Sequence, residues 1–292
     1  MLNYLTIRFI KNFISVFFFF KIVLGQINTE VYLFDLILYK EKYEISNPIN
    51  ISDNNGYDNQ PYFLKKSNDI LFSSTRNGQT DIVRYNIKDK KKKWITNTKG
   101  SEYSPIQIGN SDFFSAIRLD ENGDQFLYKY HFKNDIVKLL VPNLKIGYYS
   151  WVNDNQLLSF VLGDPPSMQS IFLKEEINKI IDENIGRSFH KIPGTDLMSF
   201  IKKDRVWSIM SIDLKTGHVD KIIETLEGSE DFSWTPQKVI FMGKGNKMFK
   251  YDPYRDNKWI FVTDLSLYGL SNITRIAISN DASRLAIVVE NN

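Results

Sequence analysis

The residue types that usually carry out catalysis are sparse and scattered in this sequence. Its three histidines, His131, His190 and His218, are isolated from one another, and neither His-Glu-x-x-His nor Gly-x-Ser-x-Gly occurs. Cysteine is absent, which excludes thiolate catalysis and Cys-ligated zinc. We therefore predict no catalytic residue, no metal and no cofactor, and we expect a protein that is not an enzyme.

Three short motifs could suggest ligand chemistry, but each is better interpreted as a turn. Asp120 to Asp124 resembles the start of a calcium loop, yet Gly123 comes before the third acid and His131 occupies position twelve, where a glutamate is needed. Gly243-Lys244-Gly245 lacks the third glycine of a dinucleotide fingerprint. The basic run from Lys88 to Lys93 is interrupted by Asp89, which favours a solvated hairpin.

Aromatic residues at recurring positions are the better functional candidates. Flat rings offer a large contact area at low entropic cost, so they suit a binding surface for a peptide or a glycan. The alternative is that the same rings pack between structural units. The candidate binding residues are Tyr57, Tyr103, Tyr149, Trp151, His190, Phe232 and Trp234.

A repeat of about 43 residues supplies the elements that would position these rings. Four segments share an apolar residue followed by serine: Phe72-Ser73-Ser74, Phe114-Ser115-Ala116, Leu158-Ser159-Phe160 and Met198-Ser199-Phe200. Their first residues are separated by 42, 44 and 40 positions, and the rhythm continues at Phe241 and Ala286 after 43 and 45 more. Each such position anchors one unit of the repeat.

Each unit contains enough turns and apolar runs for four strands. Asn77-Gly78 separates the anchor strand from the alternating run Ile82 to Tyr85, and Asn-Gly between apolar runs is a strong hairpin signal. Four strands in 40 to 45 residues is the size of one propeller blade. The weakest unit contains Lys174 to Ile181, which could instead form a short helix.

The two ends of the chain complement each other. Residues Ile273 to Val289 match the first two strands of a unit, whereas Val31 to Leu36 and Tyr43 to Ile51 match a third and a fourth strand. Together they would complete one blade and remove the exposed sheet edges that an open solenoid would leave. The sequence therefore predicts an all-β, six-bladed β-propeller closed by its N- and C-terminal strands.

One unit carries a fuller motif. Phe72, Ser74, Arg76, Gly78 and Asp81 together resemble the repeat of TolB-type (WD40-like) β-propellers, which reads apolar-x-Ser-x-Arg-x-Gly and then Asp-Ile. The resemblance implies a six-bladed propeller. TolB carries a separate α/β domain before its propeller, and the few residues between Gln26 and Val31 are too short to hold one. The resemblance therefore implies nothing about the role of TolB in its envelope system.

The N-terminus predicts export. Arg8 and Lys11 precede an apolar stretch from Phe13 to Phe20, and Gly25 is a suitable residue before a cut at Gln26. The alternative is an uncleaved anchor, but the uncharged run is well short of the roughly 20 residues that a spanning helix needs. We predict a signal peptide at 1–25, a single propeller domain at 26–292, and no transmembrane span in the mature chain.

These observations define the expected function. A net charge of +3 is too small to indicate a nucleic-acid partner. We expect a monomeric scaffold that binds a protein, peptide or glycan in the bacterial periplasm or outside the cell. The loops at 76–80, 119–124, 163–168 and 202–205 should surround the aromatic site. The alternative is a propeller hydrolase or lactonase with its site at the channel mouth.

Overall fold

A computed structural model describes residues 28–290 of the chain. The predicted signal peptide lies outside the described residues. Each repeat unit forms one four-stranded antiparallel sheet, numbered here as blades 1 to 6. Blade 1 comprises β3 (Asp58–Phe63), β4 (Ile70–Arg76), β5 (Gln79–Asn86) and β6 (Lys91–Trp94). Blade 2 comprises β7 (Ser101–Gln107), β8 (Phe113–Leu119), β9 (Gln125–His131) and β10 (Val137–Val141).

The next three blades repeat this order. Blade 3 comprises β11 (Ile146–Asn153), β12 (Gln156–Val161), β13 (Ser167–Phe172) and β14 (Ile177–Glu183). Blade 4 comprises β15 (Ile185–Lys191), β16 (Met198–Lys202), β17 (Ser208–Ile212) and β18 (Val219–Glu224). Blade 5 comprises β19 (Phe232–Trp234), β20 (Ile240–Lys244), β21 (Lys247–Tyr251) and β22 (Ile260–Asp264), followed by a 3-10 helix at Leu265–Tyr268.

The last blade is built from both ends of the described chain. Its inner strands are β23 (Ile273–Ile278) and β24 (Arg284–Glu290), and its outer strands are β1 (Thr29–Tyr39) and β2 (Lys42–Asn50). β1 pairs antiparallel with β24 over seven residue pairs, from Thr29↔Glu290 to Asp35↔Arg284. The predicted six-bladed propeller, closed by shared terminal strands, is confirmed.

The repeat anchors form the centre of each blade. The six anchor residues at the start of the recurring motif are all fully buried: Phe72, Phe114, Leu158, Met198, Phe241 and Ala286. Burial of such side chains stabilises a fold by about 1.5–3 kcal/mol each for the larger ones. The apolar clusters lie between neighbouring blades, as where Leu71 and Ile82 pack against Phe114. The blades therefore hold one another in place around the axis.

The prediction of a possible helix at 174–181 is wrong. Residues 173–176 form a turn, with Glu176 in a left-handed conformation, and the following residues form strand β14. β14 pairs with β13 from Phe172↔Ile177 to Ser167↔Glu183. The exposed edge of β13 supplies hydrogen-bond partners that a short isolated helix would lack, so tertiary pairing decides the local structure.

Two successive blade junctions, between blades 6 and 1 and between blades 1 and 2, each contain a pair of buried acidic side chains. Asp81 and Glu102 approach each other between blades 1 and 2, and the Glu102 carboxylate accepts hydrogen bonds from Thr96 and Thr98. At the preceding junction, Glu30 accepts a hydrogen bond from Ser52 and lies near Asp58. The four acidic side chains are buried.

Candidate binding channel

The predicted aromatic residues lie mainly in the first strands of the blades, rather than in the loops before them. Tyr103 is in β7, Tyr149 and Trp151 are in β11, and Phe232 and Trp234 are in β19. The first strands of neighbouring blades contact one another around the ring, so these strands line the central channel. His190 lies in β15, and Tyr57 immediately precedes β3, where it bridges to Thr29.

Several of these rings are structural. Tyr149, Phe232 and Trp234 are 5%, 0% and 8% exposed. The Tyr149 hydroxyl donates to Ser104 O at 2.9 Å and lies 2.8 Å from Ser115 Oγ. Rings held in this way stabilise the propeller and have little surface left for a partner.

The recurring serine explains why tryptophan appears in two units. Trp151 Nε1 donates to Ser115 Oγ, and Trp234 Nε1 donates to Ser199 Oγ, each across 2.9 Å into the preceding blade. Each indole therefore links two blades, as the packing alternative predicted. In the blade between them, Lys191 stands seven positions before the anchor Met198, at the place that Trp151 and Trp234 occupy in blades 3 and 5. The corresponding Ser159 Oγ is buried and has no hydrogen-bond partner among residues 28–290.

The residues of the TolB-like motif also have structural roles. Arg76 pairs with Asp81 at 3.2 Å, and its guanidinium group lies 4.2 Å from the centroid of the Trp94 ring. Gly78 adopts φ +79°, which the tight turn between β4 and β5 requires. Phe72 is fully buried, and Ser74 pairs with Asp81 across β4 and β5. This motif stabilises a hairpin.

A cavity of about 460 Å³ occupies the channel. Four of the predicted binding residues line it: Tyr149, Trp151, His190 and Trp234. Tyr57, Tyr103 and Phe232 are not in contact with this cavity. Its wall extends to Lys65, Pro193 and Asn280, at the turns between first and second strands. The cavity therefore reaches the face opposite to the predicted loops at 76–80, 119–124, 163–168 and 202–205.

A buried ion pair forms part of the channel wall. Arg275 Nη1 lies 3.1 Å from Asp231 Oδ2, and both side chains are almost fully buried. The carboxylate also accepts hydrogen bonds from Ser188 Oγ at 3.1 Å and from the main-chain N–H of Ile276 at 2.9 Å. The Arg275 guanidinium group lies 5.0 Å from the centroid of the Tyr148 ring. Asp231, which precedes the first strand of blade 5, is thus bonded to residues of blades 4 and 6 and connects the three blades.

Arg187 lies beside this pair in a different environment. Its Nη2 donates to Thr274 O at 3.0 Å, whereas its Nε is buried and has no partner among the described residues. The nearby Glu230 accepts from Lys203 Nζ at 2.8 Å and from the Arg187 main-chain N–H at 2.9 Å. Arg187 also lines a second cavity of about 270 Å³ next to the turn at Gly243–Gly245.

His190 is a neutral part of the channel wall at pH 7. Burial lowers the pKa of its imidazole, while the charge of Asp231 and a hydrogen bond with the Phe232 main chain oppose that shift. Its ring makes an edge contact with Phe232 at a centroid distance of 4.8 Å. Within residues 28–290, no group of three or more His, Cys, Asp or Glu side chains could hold a metal ion.

Sequence reasoning missed the charged residues of the channel, although a signal for them existed. Arg187, Asp231 and Arg275 are separated by 44 and 44 positions, which is the period of the repeat. Arg187 and Arg275 are the third residues of β15 and β23, and Asp231 immediately precedes β19, so all three lie near the beginning of successive first strands. A search for charge at the repeat interval, in addition to aromatic residues, would have found all three.

The fold defines the chain as a six-bladed β-propeller, and comparison with solved structures shows which propellers it resembles. It matches a protein assigned as TolB from Agrobacterium tumefaciens with a TM-score of 0.70 and 11% identity, over 92% of this chain and 100% of that one. TolB from Acinetobacter baumannii matches with a TM-score of 0.57 and 11% identity, over 91% of this chain and 64% of that one. The chain thus has the TolB propeller fold.

An enzyme shares the architecture as well. An oligogalacturonate lyase in complex with manganese matches with a TM-score of 0.57 and 9% identity, over 86% of this chain and 83% of that one. No protein-family model and no curated protein matches the sequence. At these identities the likeness establishes the fold, while function must be argued from the channel itself.

Proposed function

We propose that this protein is an exported, non-catalytic propeller scaffold that binds a protein, peptide or glycan partner in the bacterial envelope or the extracellular space. The observation that carries the proposal is the 460 Å³ channel cavity, which is lined by aromatic rings and charged side chains. Its volume lies within the range of typical ligand sites. The predicted export signal at 1–25 supplies the proposed location.

The channel is a suitable binding site because its walls are rigid. The first strands that line it pair with second strands in every blade. Rings such as Trp151 and Trp234 are fixed by hydrogen bonds to neighbouring blades. A preorganised wall loses little conformational entropy when a partner binds. We therefore place the partner in the channel rather than on the outer strands.

Site-specific crosslinking tests this proposal. A photoreactive amino acid replaces Lys191, an exposed residue of the channel wall, and in a matched variant replaces Lys91, an exposed residue of the outer strand β6. In the cells that make the protein, we expect a discrete crosslinked product from position 191 and none of that mass from position 91. Equal products from both positions, or a product from position 91 alone, would contradict a channel site.

A further inference from the structure

The charge of the channel is unbalanced. Among the described residues, four cationic side chains and one carboxylate line the cavity: Lys65, Arg187, Lys191, Arg275 and Asp231. Asp231 already accepts from three donors, among them Arg275. The cavity therefore keeps an excess of positive charge, and an anionic ligand would be attracted to it.

Arg187 is the cation that is best placed to bind an anion directly. It forms no ion pair with any described residue, because the adjacent Glu230 already pairs with Lys203. Its guanidinium group makes one hydrogen bond, to Thr274 O, and the buried Nε remains free within residues 28–290. Because Nε is fully buried, a ligand would reach the guanidinium group through Nη1, which makes no hydrogen bond to any described residue.

We propose that the channel binds a carboxylate of an acidic peptide segment, with Arg187 as the residue that recognises it. The planar guanidinium fork matches the two oxygens of a carboxylate. The first strands are the inner edges of their sheets, so their free main-chain groups can pair with an extended peptide. This inference rests on the proposed function and adds the chemistry of the partner.

Direct binding of defined peptides tests the inference. Calorimetry with the purified protein compares a capped tetraglutamate peptide with a capped tetraglutamine peptide of the same length. We expect the acidic peptide to bind, with affinity that falls as salt rises, and the neutral peptide not to bind. Arg187→Gln should weaken binding by about tenfold to a hundredfold, the effect of losing a charged hydrogen bond. Arg187→Lys should retain part of the affinity.

A second pair of variants separates recognition from loss of folding. Lys191→Glu reverses an exposed charge of the channel wall, and Lys91→Glu reverses an exposed charge on β6. We expect the first to weaken tetraglutamate binding several-fold and the second to leave it unchanged, with both proteins folded by circular dichroism. Failure of the wild-type protein to bind tetraglutamate, or equal effects of the two reversals, would overturn the inference.

Three further outcomes identify which proposal fails. Tighter, Arg187-dependent binding of trigalacturonate than of tetraglutamate would overturn the peptide assignment and indicate a sugar acid. A crosslinked partner from position 191 that forms equally well in Arg187→Gln would overturn carboxylate recognition while leaving the scaffold function intact. Absence of any position-191 product, together with specific tetraglutamate binding, would contradict the scaffold proposal and retain the carboxylate site.

Discussion

Glu102 and Asp81 illustrate how a single buried proton can affect the whole fold. Burial raises the pKa of Glu102 to about 8, and the neighbouring Asp81 carboxylate also raises it, against hydrogen bonds from Thr98 and Thr96. Burial similarly raises the pKa of Asp58, at the previous blade junction, to about 6. Both carboxyl groups therefore keep their proton to a higher pH in the folded protein than in the unfolded chain, so their effect on stability depends on pH.

The sign of this dependence follows from proton linkage. Between the usual glutamate pKa and about 8, folded Glu102 holds a proton that the unfolded chain has released. Its contribution to stability is therefore complete at low pH and is lost as pH rises through this window, by at most about 1.4 kcal/mol per pH unit. Glu102→Gln, which resembles the neutral acid, should flatten the decline measured by urea unfolding between pH 5.5 and 8.5.

A surface glutamate provides the control for this experiment. Glu121 is exposed in the turn between β8 and β9, so Glu121→Gln should keep the wild-type slope of stability against pH. A Glu102→Gln profile parallel to that of the wild type would show that Glu102 is ionised in the folded protein.

At the scale of the strands, serines in the second strands connect neighbouring blades. Ser115 receives the Trp151 indole N–H and lies within hydrogen-bond distance of the Tyr149 hydroxyl, and it donates to Ile106 O at 3.2 Å. Ser159 occupies the equivalent position in the next blade but has no such partner among the described residues. One sequence motif therefore has different energetic consequences in two blades.

This contrast makes a matched prediction. Ser115→Ala leaves the Trp151 indole N–H without its acceptor, whereas the Tyr149 hydroxyl keeps Ser104 O, so we expect a loss of about 1–3 kcal/mol in the free energy of unfolding. Ser159→Ala removes a buried hydroxyl that has no partner, and should be neutral or stabilising. Urea titration of both variants measures the difference. Equal destabilisation would mean that both serines act only through packing.

At the scale of the whole molecule, closure of the ring depends on the pairing of β1 with β24. Val31 and Val288 are opposite residues in this pair and are fully buried. The Val31 N–H donates to Ser52 Oγ and the Val31 C=O accepts from the Ile51 N–H, so both main-chain groups point away from β24. Val31 and Val288 are therefore a non-hydrogen-bonded pair. Such pairs bring Cα atoms to about 4.5 Å, within the range of a disulfide.

An introduced disulfide can therefore test closure in a chain that contains no cysteine of its own. We expect Val31→Cys/Val288→Cys to form an intramolecular bond and to unfold at higher urea concentration when oxidised than when reduced. The expected gain is about 2–4 kcal/mol, since the bond closes a very long loop. The reduced form of the same variant is the control. Disulfide-linked dimers as the main product would contradict closure within one chain.

The sequence was informative about the fold because the blade repeats. Six anchors at regular spacing predicted six blades, and the strand patterns at the two ends predicted the shared blade. The prediction of a possible helix at Lys174 to Ile181 was wrong because the polar pattern of this segment suits a helix, whereas pairing with the neighbouring strand β13 determines its structure.

The channel was less predictable, because its chemistry depends on the direction of side chains in the first strands. Tyr149, Trp234 and Arg187 all line the cavity, but the two aromatic side chains also bond to neighbouring blades, whereas Arg187 has no ion-pair partner among the described residues. The repeat interval locates Arg187 but does not show which of these side chains is left to bind a ligand. The export signal and the domain range 26–292 remain predictions.

The divided blade also has a consequence during synthesis. The hairpin of β1 and β2 emerges from the ribosome early, yet its partner β24 is near the end of the described chain. At about 5–20 residues per second, the intervening blades take on the order of ten to fifty seconds to be translated. Throughout that time β1 presents an unpaired edge, the kind of surface that aggregates readily. A nascent chain of this design needs its first hairpin shielded until β24 has been synthesised.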